Sequence, residues 1–283
     1  MGAEGKKDGA QGTGKPDVTV GSDRAIGRKE EKQPVNREPT VTVITVSCNS
    51  QATIRDTIES VLRQTYPFVE YLIIDGLSTD RTVEIAESYR EAFADKGFPY
   101  RIVSEKDEGI YEAMNKGIAM AKGDLIGLLN SDDWYEENAA ACAAAVYRKT
   151  HYDMMYANLR MIKRDGRVFI KRSRYRKHYI TTREWNHPTT FITKEMYGIY
   201  QYACKGNADD LDLMLRIRKD GRKVVVVPKV LANYRLGGSS NQKQPKVAWN
   251  RFLSKYRAYR DNGYSRWYLI ECILMEGGKL ILA

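Results

Sequence analysis

From Val41 onward the chain alternates between short apolar runs and segments with helical periodicity. VTVITVS, Val41 to Ser47, is a β-branched run bounded by Pro39 and by Asn49-Ser50, and it predicts a buried strand. Ile54, Ile58, Val61 and Leu62 then recur at helix spacing, with Pro67 just past the end. YLIIDG, Tyr71 to Gly76, predicts the second strand. Ser78-Thr79-Asp80 offers N-cap oxygens to a helix carrying Val83, Ile85, Ala86 and Tyr89. A short strand is expected over 100–104, a helix from about Gly109 to Ala121, and a further strand from Leu125 that ends at Asn130. Strand and helix alternate throughout, which predicts an α/β sheet with mainly parallel strands.

The second half is less regular. Strands are expected over 152–162 and 166–176, joined by a turn at Asp165-Gly166. Asp209 to Lys219 reads as a helix with Leu211, Leu215 and Ile217 inward and Gly221 closing it. VVVVP, Val224 to Pro228, is a buried strand, and the polar loop Gly237 to Gln244 follows. Trp249, Phe252, Tyr256 and Tyr259 recur at helix spacing among Arg251, Lys255, Arg257 and Arg260. That stripe suits packing on the domain or lying on an anionic membrane surface, and Trp267 to Met275 can continue either arrangement. Residues 1–39 hold almost no large apolar side chains and cannot offset chain entropy. The expected organisation is a disordered leader over 1–39, one domain over 40–240 and an amphipathic helical tail over 241–283.

Composition adds bounds. The 283 residues can bury a sizeable core, and the formal net charge of +10 points to nucleic acid, anionic lipid or phosphorylated partners. The four cysteines, Cys48, Cys142, Cys204 and Cys272, are far apart, which disfavours a zinc site or disulfide framework and fits a reducing cytosol. Three histidines are too few for a multi-histidine metal site. The N-terminal residues lack the apolar stretch of a signal peptide, and no run of about 18 apolar residues occurs, so a spanning helix is not expected.

The chemistry concentrates at strand ends. LIGLLNSDDW, Leu125 to Trp134, runs from a buried strand straight into Asn130, Ser131, Asp132 and Asp133. Adjacent carboxylates repel unless a cation or donors offset them, and oxygen ligands suit Mg²⁺ or Mn²⁺ beside a phosphate. The bland reading is a helix cap. Asn49 follows the first strand and Asp75-Gly76 the second, so three strand ends offer polar groups to one crevice. Asp75 is either an acceptor for a nucleobase N–H or ribose hydroxyl, or a turn residue. No G-x-G-x-x-G follows the first strand and no P-loop is present, which disfavours both nucleotide-binding classes. In SEKDEGIYEAMNKG, Ser104 to Gly117, the acids Glu105, Asp107 and Glu108 suit a helix N-terminus, while Lys116, next to Asn115, can meet a phosphate or solvent. Asp209 and Asp210 open a helix; a cap explains one of them, and a carboxylate near other negative charge suits a general base. Arg172, Arg174 and Arg176 would share one face of a strand, either solvated or facing a phosphorylated acceptor or membrane.

Taken in order, VTVITVSCN, the Ile54 to Pro67 helix, IIDGLSTDRT, EKDEGIYEAMNKG, GLLNSDDW, NHPTTF, ADDLDLMLR and YRLGGSS resemble the family 2 glycosyltransferases with a GT-A fold. The likeness covers roughly Thr40 to Ser240. It implies an inverting transferase using a nucleoside-diphosphate sugar, UDP-linked by preference, on a mainly parallel central sheet flanked by helices with a C-terminal helical extension. Ser47, Asn49, Asp75, Asp107, Asn115, Lys116 and Asp132 would hold the nucleotide sugar, with Asp75 at the nucleobase. Asp133, with Asp132, would hold Mn²⁺ or Mg²⁺. Asp210 would deprotonate the acceptor hydroxyl, and His187 and Asp209 would line the acceptor side. Two positions depart from many relatives: Cys48 stands where an aromatic is common, and Arg81 where Gly is common. The acceptor would be a carbohydrate or lipid-linked chain in surface polysaccharide or glycolipid assembly, at the inner face of a bacterial cell membrane, with no nucleic-acid partner. Two other classes share these features: a metal-dependent nucleotidyltransferase, and a basic nucleic-acid-binding module. The paired acids would repel phosphates without a metal, which counts against the second.

Overall fold

In the computed structural model, which describes residues 18–21, 37–237 and 244–281, the run VTVITVS lies inside the sheet. A short strand, β1 (Thr19–Gly21), precedes it in the chain, and the run itself is β2 (Val41–Ser47), buried at every residue. Successive side chains of a strand point to opposite faces. Val41 and Val43 therefore enter one apolar layer, and Ile44 and Val46 the other. Burial on both faces is why the run shows no alternation. β3 (Val69–Asp75) lies parallel to β2 on one side, and β4 (Tyr100–Ser104) parallel to β3 beyond it. β5 (Leu125–Asn130) lies parallel to β2 on the other side.

Past β5 the sheet becomes mixed. β6 (Trp134–Tyr135), β7 (Met154–Ile162), β8 (Val168–Lys171), β9 (Phe191–Thr193) and β10 (Val224–Arg235) complete the order β1-β10-β7-β9-β5-β2-β3-β4, with β6 on β10 and β8 on β7. β7 and β10 are parallel to each other, and β9 is antiparallel to both β5 and β7. β9 seats Phe191 over Gly127 of β5, where an added Cβ would come within 2.7 Å of the ring. A three-residue strand carries too little pattern to be read from sequence.

Helices cover both faces. On one lie α1 (Ile54–Leu62), α2 (Thr82–Glu87), α3 (Arg90–Lys96) and α5 (Ala139–Thr150). On the other lie α4 (Ile110–Met120), α6 (Lys194–Ile199) and α7 (Asp209–Lys219), joined by α8 (Pro245–Asp261) and α9 (Tyr268–Ile281). The C-terminal stripe packs on the domain. Phe252, Ala258, Tyr259, Tyr268 and Cys272 join the core, and the rings of Tyr259 and Tyr268 stack at 4.0 Å. Tyr259 Oη donates to the Ile180 carbonyl (3.0 Å), and Ile180 N–H donates to Tyr268 Oη (2.8 Å), so both helices clamp that segment.

Several expectations are corrected. The helix after Asp80 is two short ones, α2 and α3. The strand expected over 166–176 ends at Lys171; Arg172, Arg174 and Arg176 still project outward together, and Arg176 pairs with Glu184 (2.7 Å). The strand begun by VVVVP runs on to Arg235, with register breaks around Pro228, which has no N–H to give the ladder. The leader is not wholly without structure: Thr19–Gly21 pairs antiparallel with Val224–Val226, filling an edge of β10. Residues 1–17 and 22–36, and the polar loop at 238–243, lie outside the described residues.

α4 carries site residues and lies close on the sheet because of Gly117. A Cβ there would meet Ile44 Cγ2 at 2.5 Å and Ile74 Cγ1 at 3.1 Å. Gly117→Ala is therefore expected to destabilise the fold by about 1–3 kcal/mol, read as a lower denaturation midpoint with unchanged m-value. An unchanged midpoint would mean that α4 can lift off β2 without loss.

Candidate functional site

Because β2, β3, β4 and β5 run parallel, their carboxyl ends meet at one edge of the sheet. The end of β3 holds it together. The Asp75 carboxylate is fully buried and accepts four hydrogen bonds: Ser47 Oγ (2.8 Å), Ser104 Oγ (2.8 Å), Ser78 N–H (2.8 Å) and Ser78 Oγ (2.5 Å). A carboxylate has about four acceptor positions, so a ligand N–H reaches Asp75 only by displacing a serine. Asn49, in the left-handed region at φ +51°, donates its N–H to Ser78 Oγ (2.7 Å) and accepts at Oδ1 from Thr79 N–H (2.8 Å). Ser47, Asn49 and Asp75 are thus brought together as one loop scaffold.

The exit of β4 and α4 behave differently from the sequence reading. Lys116 Nζ pairs with Asp107 (2.5 Å) and Glu105 (2.6 Å), so its charge already faces two carboxylates. Asn115 does not face the strand-end crevice. Its amide binds the backbone of Tyr202 in both directions, Nδ2 to the carbonyl (2.8 Å) and Tyr202 N–H to Oδ1 (3.0 Å), and so straps the loop after α6 to α4. Asp107 keeps one atom unengaged: Oδ2 is buried, has no hydrogen-bond partner, and would lie 3.8 Å from a Cβ placed on Gly76.

After β5 the backbone turns sharply, and Asp133 is fully buried while Asp132 is partly exposed. Burial, then the neighbouring charge of Asp132, hold the Asp133 carboxyl well above the usual carboxylate range; burial also raises Asp132. Asp133 Oδ1 receives a long hydrogen bond from Arg235 N–H (3.4 Å), and Oδ2 has no partner. Asn130 Oδ1 is likewise buried and unpartnered. No cluster of three or more His, Cys, Asp or Glu suited to a metal occurs among the described residues. Two adjacent carboxylates with an orphaned buried oxygen nonetheless fit a divalent cation that takes its remaining oxygens from a ligand and water.

Beside Asn130 opens a cleft of about 530 Å³ lined by Tyr111, His187 and Asp210 among others. Asp210 Oδ1 accepts from Tyr111 Oη (3.1 Å) and Leu211 N–H (2.8 Å), leaving Oδ2 for a ligand. Tyr111 stacks on Tyr202, whose hydroxyl lies 3.2 Å from His187 Nε2. Burial holds His187 below its ordinary pKa against the opposing pull of Asp210, so the ring is neutral at pH 7. Asp209 turns away: successive helix residues differ by about 100°. It accepts from Lys205 N–H (2.8 Å) and lines a separate pocket against α8. Burial first, then nearby carboxylates, raise the Asp209 carboxyl above its ordinary value.

The tail supplies cleft residues that the sequence reading missed. Arg251, Lys255 and Met275 line it, with Lys171, Arg183, Trp185 and Asn186. Only the interleaving of Arg251 and Lys255 with the aromatic stripe signalled them.

The sequence profile described as Glycosyl transferase family 2 matches residues 42–207. A relative from Bacillus subtilis (strain 168), described as a putative teichuronic acid biosynthesis glycosyltransferase, TuaG, is 28% identical over 223 residues, 76% of this chain and 87% of its own. The mannosyltransferase PcManGT from Pyrobaculum calidifontis, solved with GDP-Man and Mn²⁺, superposes with a TM-score of 0.62 at 19% identity, over 88% of this chain and 71% of that one. S. aureus TarS 1-349, solved with UDP-GlcNAc, gives 0.58 at 16%, over 85% and 72%. At these identities the two structures speak for the fold.

The raised Asp133 carboxyl has a stability consequence. Its contribution is full below the ordinary carboxylate pKa and is lost as pH rises through the raised native value, because the native state holds the proton more tightly than the unfolded chain. Metal-free Asp133→Asn is therefore expected to melt above wild type at neutral pH, the difference vanishing in acid. Thermal melts across pH check this; a variant that melts below wild type at pH 7 would show the carboxylate to be paired in solution.

Proposed function

The chain belongs to glycosyl transferase family 2 and is a glycosyltransferase of GT-A-type fold, and on that premise we propose which residues perform the transfer. The observation that carries the proposal is Asp210: a carboxylate with one oxygen fixed by Tyr111 and Leu211, lining an open cleft beside the acidic end of β5. The acceptor hydroxyl gives its proton to Asp210 Oδ2 as its oxygen bonds to the anomeric carbon. The bond from that carbon to the diphosphate breaks on the opposite face, so the configuration inverts. His187, neutral and held by Tyr202, donates or accepts a hydrogen bond to the acceptor rather than adding charge.

On the donor side, Asp133 and Asp132 would hold a divalent cation, which offsets the negative charge of the departing diphosphate. The unpartnered Asp133 Oδ2 supports this assignment. The base lies against the loops ordered by Asp75, and Asp107 Oδ2 accepts its N–H. A uracil N3–H suits that acceptor, and the complex of TarS with UDP-GlcNAc favours a UDP-sugar. The acceptor is a carbohydrate or lipid-linked chain of a surface polysaccharide or glycolipid; the name of the Bacillus relative supports it. No helix among the described residues is long and apolar enough to cross a membrane, and we place the enzyme at the inner membrane face through its tail.

Thermal stabilisation and donor hydrolysis with UDP-, GDP- and dTDP-sugars and Mn²⁺ test the reading. One nucleotide series should stabilise the wild type, and the metal-dependent part should disappear in Asp133→Asn. Asp210→Asn should keep that binding while kcat falls about 10²–10⁴-fold. Turnover retained in Asp210→Asn would remove its role as base.

A further inference from the structure

Asp210 does not stand alone in the cleft. Its Oδ1 accepts from Tyr111 Oη (3.1 Å) and from Leu211 N–H (2.8 Å), so both bonds fall on one oxygen. Leu211 is the next residue of α7 and moves with Asp210. Tyr111 belongs to α4, so its hydroxyl ties the carboxylate across the cleft to a second helix. An aspartate side chain has a broad final torsion, and only an outside partner fixes which oxygen faces where.

Tyr111 is itself held. Its ring stacks on Tyr202, with centroids 5.2 Å apart. Asn115 stands four residues further along α4, on the same helix face. It grips the Tyr202 backbone, Nδ2 donating to the carbonyl (2.8 Å) and Tyr202 N–H donating to Oδ1 (3.0 Å). α4 thus holds Tyr202 twice, by ring and by backbone. Tyr202 in turn brings its hydroxyl to 3.2 Å from His187 Nε2. Elsewhere on α4, Gly117 seats the helix against Ile44 and Ile74, which leaves it little room to move. Asp210 and His187 come from different elements, and two stacked phenols join them.

We propose that Tyr111 is the positioning residue of the general base, and that the stacked Tyr111–Tyr202 pair fixes Asp210 and His187 relative to each other. The phenol holds Oδ1, which leaves Oδ2 aimed at the acceptor hydroxyl. Held geometry of this kind raises the rate rather than the affinity, because the proton moves only when the reacting atoms are aligned. The inference rests on the reading of Asp210 as base. Other titratable groups also face Asp210: His187, Tyr202 and, beside it on α7, Asp209. Lys171, Arg183, Arg251 and Lys255 share the cleft. Substituting Tyr111 leaves all of them in place.

The experiment uses the full chain and hydrolysis of the nucleotide sugar, among UDP-, GDP- and dTDP-sugars, that stabilises the wild type with Mn²⁺. Tyr111→Phe keeps the ring stack and removes the hydroxyl. It should lower kcat about 10–100-fold, the worth of one hydrogen bond to a charged group, with the donor KM unchanged. Tyr111→Phe combined with Asp210→Asn should be no slower than Asp210→Asn alone, because the phenol acts through the carboxylate. Melting curves read the same bond without turnover. A phenol donates more strongly to a carboxylate than to a carboxylic acid. The Tm lost in Tyr111→Phe should therefore be largest at neutral pH, shrink in acid, and lose that pH dependence once residue 210 is Asn. Wild-type kcat in Tyr111→Phe, a loss carried by KM alone, or a full further loss in the double variant would overturn the positioning role. So would a melting difference that Asp210→Asn leaves unaltered. Retained turnover in Asp210→Asn would sink the base reading itself, whereas an inactive Asp210→Asn beside a fully active Tyr111→Phe sinks this inference alone.

Discussion

One buried carboxylate, Asp75, sets the geometry on which the donor side depends. Taking it out of water is tolerable only because four donors replace the lost hydration. Those donors come from the end of β2, the end of β4 and the loop after β3, so the bonds fix three strand ends relative to one another. The constraint then spreads. Ser78 Oγ also receives Asn49 N–H, Thr79 N–H reaches Asn49 Oδ1, and Ser50 N–H reaches Thr82 Oγ1 (2.7 Å). Ser50 Oγ in turn meets Ser131 Oγ at 2.7 Å, which ties this network to the turn holding Asp132 and Asp133. Loops that would otherwise sample many conformations are pre-set, which lowers the ordering entropy left for ligand binding.

The two sides of the cleft carry opposite electrostatics, and this follows from how each is built. One side gathers carboxylates at strand ends, where parallel strands terminate together; Asp107 and Asp133 keep a buried oxygen without a partner. Such a site repels phosphates until a cation is present. The other wall holds Lys171, Arg183, Arg251 and Lys255, from the β8 end, its following loop and α8, and Arg251 and Lys255 are paired with Glu276.

The fold was readable where burial dictates pattern. β2, β3 and β5 are short apolar runs because both faces are covered, and α1 buries Ile54, Thr57, Ile58 and Val61 on one stripe. Of the acids singled out in the sequence, Asp132 and Asp133 follow β5, and Asp210 lies in the first turn of α7 and lines the cleft. What the sequence concealed was direction. Asp209 and Asp210 are adjacent and of one type, and only helix phase sends one into the cleft and the other toward α8. Asn115 and Lys116 belong to the family-like segment, yet tertiary neighbours engage both: the Tyr202 backbone, and Asp107 with Glu105. Long-range partners of this kind leave no trace in local spacing. The three residues of β9 were concealed for a different reason, being too few to show a period.

The tail joins packing on the domain to the lining of the cleft. α8 and α9 are held by Tyr259 and Tyr268 around Ile180 and by the core positions of Phe252 and Cys272, none of which touches the Asp75 network. Yet the same two helices place Arg251, Lys255 and Met275 in the cleft wall. Packing and recognition are thus divided between faces of one helix pair. Arg251 and Lys255 are also structural, because they offset the buried Glu276 carboxylate, and removing Arg251 would leave that charge poorly compensated. The strand-end acids are fixed independently of the tail, by β5 and by the serine network that reaches Ser131. The cleft wall and the strand-end network are therefore set by parts of the chain far apart in sequence.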